Sequence, residues 1–213
     1  MFKKNFSIVL VFILAAVIVV GCSEKKSQIK IEKVLLFGDS LMSGYGLPKD
    51  DHLSVVLEKS LKSDGYEIQI FNSSISGNTS SDGLDRIEDE LSDASYDLII
   101  IGLGANDMLR RINPDQTKQN LEDIINIIMS NNIEIILAGM VASPTNGLSY
   151  KKKFDKIYPD LSKKFELELI PFLLKGVALN PSLNQTDGIH PNEKGVLIIA
   201  ETIKKSITNF LKK

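Results

Sequence analysis

The chain has 213 residues, 43% of them hydrophobic, with 25 basic against 27 acidic side chains and a formal net charge of −2. That length suits one domain with a sizeable core, and the near-balance of charge excludes the strongly basic face that nucleic-acid binding needs. One cysteine excludes an internal disulfide and any multi-cysteine zinc site, and two histidines leave little for a His-based metal centre, so no cofactor or metal is expected.

Hydrophobicity is unevenly spread along the chain. Residues 1–21 carry Lys3 and Lys4, then an uncharged apolar run over 8–20, and end in Val19-Val20-Gly21 ahead of Cys22. A basic start, a short apolar stretch and small residues at its end mark a secretory signal. The apolar run falls short of the ~20 residues of a spanning helix. Val19-Val20-Gly21-Cys22 resembles the lipobox of bacterial lipoproteins. That resemblance implies cleavage before Cys22, lipidation of its thiol, and an exported protein anchored in the cell envelope on a periplasmic or outer-membrane face. The alternative is an N-terminal anchor that is never cleaved. Residues 22–32 then read as the lipidated cysteine and a polar tether, and residues 33–213 as the folded domain.

From there strands and helices alternate. Val34-Leu35-Leu36-Phe37 stops at Gly38 and reads as a buried strand. Residues 51–63 place Leu53, Val56, Leu57 and Leu61 at helical spacing. Ile68 and Ile70 alternate through a second strand over 67–71, and Thr79 or Ser80 stands where it would cap a helix carrying Leu84, Ile87 and Leu91. Leu98-Ile99-Ile100-Ile101 is wholly apolar, as in a strand buried on both faces. Pro114 opens a helix bearing Leu121, Ile124, Ile125 and Ile128 that closes near Asn131-Asn132. A fourth strand follows over 133–137, a charged helix over 151–166, a fifth strand over 167–170, and a last helix over 193–211 with Val196, Ile199, Ile203 and Ile207 on one stripe. This alternation predicts a three-layer α/β/α sandwich on a five-stranded parallel sheet, in one domain without repeats. The pattern leaves the strand order open.

In such sheets ligands bind beyond the carboxyl ends of the strands. Gly38-Asp39-Ser40-Leu41 follows the first strand, a serine-rich loop ending in Gly77-Asn78 the second, and Gly104-Ala105-Asn106-Asp107 the third. Asp187-Gly188-Ile189-His190-Pro191 precedes the last helix. Together these supply the parts of an acyl-transfer site. Ser40 is a poor nucleophile until a base takes its proton. His190 is the natural base, and Asp187, three residues earlier, is placed to hold its other ring nitrogen. The backbone N–H groups of Ser40 and Gly77 and the amide of Asn106 would stabilise an oxyanion. Each piece alone has a plain structural reading. Ser40 or His190 could cap a helix, Gly77 could be a turn glycine, and Asn106-Asp107 a loop pair. His52 reads as a surface residue early in its helix.

These four ordered blocks resemble the SGNH (GDSL-type) hydrolase family, in its thioesterase I, lysophospholipase and arylesterase branch. The similarity runs over nearly all of residues 33–211, including Ser74-Ile75-Ser76-Gly77-Asn78-Thr79-Ser80 and Ile157-Tyr158-Pro159. It implies the flavodoxin-like SGNH fold, a nucleophile at Ser40, an Asp187–His190 pair and oxyanion donors on Ser40, Gly77 and Asn106. It also implies a serine esterase or thioesterase acting on small acyl esters or thioesters without a cofactor. Ala105 departs from the family's usual second glycine, and Met42 excludes a Gly-x-Ser-x-Gly elbow around Ser40. A carbohydrate or peptidoglycan O-acetylesterase is the alternative within the fold; the apolar Met108, Leu109 and Leu148 favour an acyl pocket. A non-catalytic envelope lipoprotein acting as a binding module is the alternative of another class.

Overall fold

A computed structural model describes residues 30–93 and 95–211. Cys22 and the lipobox lie outside the described residues. Ile31, within the expected tether, is already buried, and the backbone N–H groups of Glu32 and Lys33 both donate to the Asp97 carboxylate at 2.8 Å.

The strands are β1 (Lys33–Gly38), β2 (Gln69–Asn72), β3 (Leu98–Gly102), β4 (Glu134–Ala138) and β5 (Glu168–Ile170). All pair in parallel, in the order β2-β1-β3-β4-β5. Leu98, Ile99, Ile100 and Ile101 of β3 are fully buried, which is why that strand lacks any polar residue. At the edge, β2 exposes Gln69, Phe71 and Asn72.

The helices among the described residues are α1 (Ser40–Ser43), α2 (Leu53–Ser63), α3 (Ser80–Asp93), α4 (Ala105–Leu109), α5 (Pro114–Ser130), α6 (Leu148–Phe154), α7 (Ile157–Phe165) and α8 (Glu193–Phe210). Crossovers between parallel strands are right-handed. The step from β1 to β2 therefore puts α2 on one face, and the return past β1 to β3 puts α3 on the other. In agreement, α2 packs on α8 and α3 packs on α5. The winding reverses between β1 and β3, and a crevice opens at their carboxyl ends. Both strands end there in glycine, Gly38 opposite Gly102. A Cβ on Gly102 would come within 2.5 Å of the Met42 side chain, so these glycines let α1 settle directly on the strand ends.

Helix boundaries follow local chemistry. Thr79 and Asp82 form a reciprocal capping box: the Thr79 N–H donates to the Asp82 carboxylate at 2.8 Å, and the Asp82 N–H to Thr79 Oγ1 at 3.3 Å. Asn113 caps α5 ahead of Pro114, and Asn132 closes it with φ 56°. The α8 cap is Asn192, whose Oδ1 accepts from the Lys194 and Gly195 N–H groups, so His190 is free of that duty.

Two expectations are corrected, and two short helices are added. The helix expected over 151–166 is broken in two, because Pro159 has no N–H to give the Asp155 carbonyl and its ring would collide with it. Pro159 sits instead in the first turn of α7, and Asp155 turns its carboxylate to the Ala142 N–H and the Lys151 ammonium. The short helices α1 and α4 went unanticipated, since four or five residues carry no periodicity. His52 is half-buried, with Nε2 3.1 Å from the Leu47 carbonyl and its ring against Gly44.

Ile100→Ala should lower stability by about 2–5 kcal/mol, because the fully covered central strand cannot collapse onto the cavity. Urea unfolding measures this, and a loss below about 1 kcal/mol would contradict the described burial.

Candidate active site

Ser40 opens α1 immediately after β1, and Asp39 is the cap of that helix: its Oδ1 accepts the Leu41 N–H at 3.0 Å. The serine hydroxyl is therefore not consumed in capping. It lies 2.9 Å from His190 Nε2, a residue 150 positions away. On the other side of the ring, His190 Nδ1 lies 2.6 Å from Asp187 Oδ2. An ionised carboxylate only accepts, so Nδ1 carries the proton and Nε2 presents its lone pair to the serine O–H.

The Asp187 turn closes on itself. Oδ1 of Asp187 accepts the N–H groups of Ile189 at 2.8 Å and His190 at 3.0 Å, and Gly188 adopts φ 71° to make the reversal. The His190 side chain, then these two N–H groups, hold the Asp187 carboxyl down to about 2. Gln185 anchors the loop: its N–H donates to the His190 carbonyl at 2.7 Å, and Nε2 to the carbonyls of Tyr45 (2.8 Å) and Pro191 (2.9 Å). The Tyr45 ring, 4.5 Å from the imidazole between centroids, covers His190.

Gly77 and Asn106 come from the loops after β2 and β3. Gly77 has φ 86°, a left-handed conformation that favours glycine. The Asn106 amide donates to the Asn78 carbonyl at 3.0 Å and makes a longer 3.4 Å contact to Asp39 Oδ2. That second contact is near the limit of a hydrogen bond, so its N–H is the one a ligand oxygen could draw away at least cost. Asn106 thus meets the first and second loops at one point. The five positions singled out in the sequence within the described residues, Ser40, Gly77, Asn106, Asp187 and His190, all lie at this one edge, Ser40 with both its hydroxyl and its backbone N–H.

Two further carboxylates shape the site. Asp107, fully buried, accepts from the Ser80 N–H at 2.8 Å, the Ser80 hydroxyl and the Thr117 hydroxyl at 3.0 Å, and so pins α4 to the start of α3. The sequence held a signal for it, an acid directly after Asn106, but not its long-range partners. Asp39 is also fully buried and has few donors, so burial pushes its carboxyl up to about 7 against the pull of the Leu41 N–H. Among the described residues no group of three or more His, Cys, Asp or Glu could hold a metal ion. A cavity of about 770 Å³ lies at the opposite edge, lined by Ile31, Tyr66, Ile133 and Phe165, and contains none of these site residues.

The unfolded chain releases the Asp39 proton near 3.8, whereas the folded chain keeps it to about 7. The folded state therefore loses stability as pH rises from about 4 to about 7, and Asp39→Asn should flatten that decline. Asp187 has the opposite sign: its contribution is complete above about pH 4 and is lost between about pH 4 and about pH 2. Urea unfolding of wild type and Asp39→Asn across this range checks the first, and parallel pH curves would refute it.

The family model described as the GDSL-like lipase/acylhydrolase family matches residues 36–197. Among curated proteins, the chain is 32% identical to an arylesterase of Vibrio mimicus, over 93% of this chain and 98% of that protein. It is 34% identical to thioesterase 1/protease 1/lysophospholipase L1 of Escherichia coli strain K12, over 83% of each. Among solved structures it resembles TesA, with a TM-score of 0.80 and 31% identity over 84% of this chain and 99% of that one. It also resembles the psychrotrophic esterase EstA from Pseudoalteromonas sp., with a TM-score of 0.81 and 28% identity over 85% of this chain and 100% of that one. With the α/β sheet, the Ser40–His190–Asp187 chain and the matched blocks in one place, the protein belongs to the GDSL-like lipase/acylhydrolase family and is an ester hydrolase.

Proposed function

We propose that the protein is a serine esterase and thioesterase that cleaves small acyl esters and thioesters through an acyl-enzyme on Ser40. The observation that carries this reading is the continuous hydrogen-bonded chain from Ser40 Oγ through His190 to Asp187, at 2.9 and 2.6 Å. Ser40 Oγ attacks the acyl carbonyl while His190 Nε2 takes the hydroxyl proton, and Asp187 stabilises the imidazolium. The negative charge on the carbonyl oxygen is met by the N–H groups of Ser40 and Gly77 and by the Asn106 N–H that otherwise makes the long contact to Asp39. Collapse of the tetrahedral intermediate expels the alcohol or thiol, which leaves with the proton from His190. Water then adds to the acyl carbon, giving its proton to His190, and the second collapse returns that proton to Ser40 and frees the acid.

The substrate class rests on the relatives, named arylesterase and thioesterase/lysophospholipase, and on the surroundings of the site. Tyr45, Leu109, Leu148 and Ile189 expose apolar surface on the loops and helix ends that follow the strands, and Leu148 is 81% exposed. Apolar side chains left in water on the edge that carries the nucleophile, Tyr45 against His190 among them, favour an acyl chain over a sugar.

The N-terminal pattern supports a second proposal: residues 1–21 are a signal, Cys22 is lipidated, and the residues from there to Lys30 tether an enzyme of the cell envelope, the expected tether being shortened by the burial of Ile31. Fully extended, residues 23–30 reach at most about 28 Å, which would keep the enzyme near its membrane. No helix of the described residues is long and apolar enough to cross a membrane.

Hydrolysis of p-nitrophenyl butyrate by the full-length protein in detergent tests the first proposal. Ser40→Ala should lower kcat by at least about 10³-fold, and Asn106→Ala by about 10²–10³-fold. A Ser40→Ala protein that keeps the wild-type rate would remove the proposed nucleophile. For the anchor, cells fed radioactive palmitate should label the wild-type protein and not Cys22→Ala; label on both, or on neither, would overturn lipidation at this cysteine.

A further inference from the structure

We infer that Arg86 is a positioning residue that sets the oxyanion hole by clamping two of its loops together. Resting on the serine-hydrolase reading above, the inference concerns how the oxyanion donors are held rather than which they are. Arg86 projects from α3, half-buried, with its guanidinium over the Phe37 ring at 3.9 Å from the centroid. The planar group is thereby fixed, and its N–H fork reaches three acceptors. Nε donates to Asn78 Oδ1 at 2.9 Å, Nη1 to Ser73 Oγ at 3.0 Å, and Nη2 to the Gly38 carbonyl at 3.3 Å.

Each acceptor stands next to an oxyanion donor or fixes the loop that bears one. Gly38 leads into Asp39-Ser40, whose N–H is the first donor. Asn78 follows Gly77, the second, and its carbonyl accepts from the Asn106 amide, the third, at 3.0 Å. Ser73 opens the loop that carries Gly77, and its hydroxyl donates onward to Glu90, whose other oxygen accepts the Tyr96 hydroxyl at 2.9 Å. Arg86 therefore touches two of the three donor segments directly and the third through Asn78. A lysine ammonium has no planar fork and presents its donors from one point, so it cannot span acceptors on β1 and on both ends of the β2–α3 loop.

The oxyanion exists only after attack, so a residue that aligns its donors acts on the transition state more than on substrate binding. Misplacing donors costs less than deleting one, so Arg86→Met, which keeps an apolar stem against Phe37, should lower kcat by about 10- to 100-fold with KM changed less than about threefold. Arg86→Lys should recover only a small part of the loss, and Asn78→Ala, which removes the Nε acceptor but leaves the backbone carbonyl, should lower kcat in the same direction. Butylboronic acid supplies a readout that a merely structural role would not move. It adds to Ser40 Oγ as a tetrahedral boronate whose negative oxygen occupies the oxyanion hole, and its Ki should rise by the same factor as kcat falls.

Rates are taken per folded molecule, with the circular-dichroism melting curve recorded for each variant. Parallel changes in kcat and Ki across the folded variants support the clamp. Wild-type kcat in folded Arg86→Met and Arg86→Lys would overturn it, as would a rise confined to KM or an unchanged boronate Ki. Should Arg86→Met fail to fold, Arg86→Lys and Asn78→Ala decide by the same criteria. Ser40→Ala in the same assay keeps the two readings apart, since a rate that survives that change sinks the serine mechanism itself, whereas its loss beside fully active Arg86 variants sinks only the clamp.

Discussion

The pairing of Gly38 with Gly102, where β1 and β3 end side by side, sets the geometry of everything at the candidate site. The winding of the sheet reverses at this pair, so the chain leaves the two strands toward opposite faces and neither exit covers the crevice. The missing side chains let Met42 pack on the strand ends, which brings α1 onto the sheet and Ser40 to the rim. From the neighbouring strand, α4 delivers Asn106 to the same rim. The proposed nucleophile and one proposed oxyanion donor thus owe their distance to strand register. That register is held in turn by close packing on both faces of β1 and β3, because a slip by one residue would carry each side chain into the opposite layer, against neighbours of a different shape.

The carboxylates around this rim differ in the donors they receive as well as in depth. Asp107 is fully buried yet receives an N–H and two hydroxyl donors, which supply what water would. Asp39 is just as buried but has one good donor and one long contact, and an unpaired charge in such a place costs several kcal/mol. Its carboxyl responds by holding its proton to about 7. Asp187 sits at the surface with a ring nitrogen and two backbone N–H groups, and is driven the other way. The gradient suits the proposed chemistry: the negative charge is firm behind His190, where an imidazolium forms, and weak beside Asn106, where an oxyanion forms.

How much of this could be read from residues alone depends on range. Strands such as Leu98-Ile99-Ile100-Ile101 announce themselves because burial on both faces leaves no polar residue, and the α3 cap is visible because its partners are three residues apart. Ser40, Gly77, Asn106, Asp187 and His190 stand in short blocks directly beside predictable elements, so their convergence follows once the strands are taken as parallel. Strand order does not follow, because it depends on packing between segments far apart in sequence. The break between α6 and α7 was legible in Pro159, whose missing donor outweighs the charged helical pattern around it. The cap of α8 was also legible, in Asn192 two residues after His190. Arg86 and Asp107 were not, since their partners lie 8 to 48 and 10 to 27 residues away, and nothing local marks an arginine in a helix as bound to a strand end.

The same difference of range explains how a site made of loops is kept rigid. Donors to an oxyanion must lie within 2.7–3.1 Å of their target, while loops are the most mobile parts of a fold. Strand pairing stops at Gly102 and Ile170, short of the residues proposed to act. Beyond those ends each loop is tied to another by a polar side chain with several partners. Arg86 joins the first loop to the second, Asp107 the third to the start of α3, and Gln185 the His190 loop to Tyr45 beside the first. Arg86 adds to the backbone bonds by which the Ser73 and Ile75 N–H groups already meet the Leu36 and Gly38 carbonyls, while Asp107, fully buried, makes hydrogen bonds stronger than they would be in water. The sheet therefore brings the pieces within reach, and this set of cross-loop hydrogen bonds turns reach into alignment.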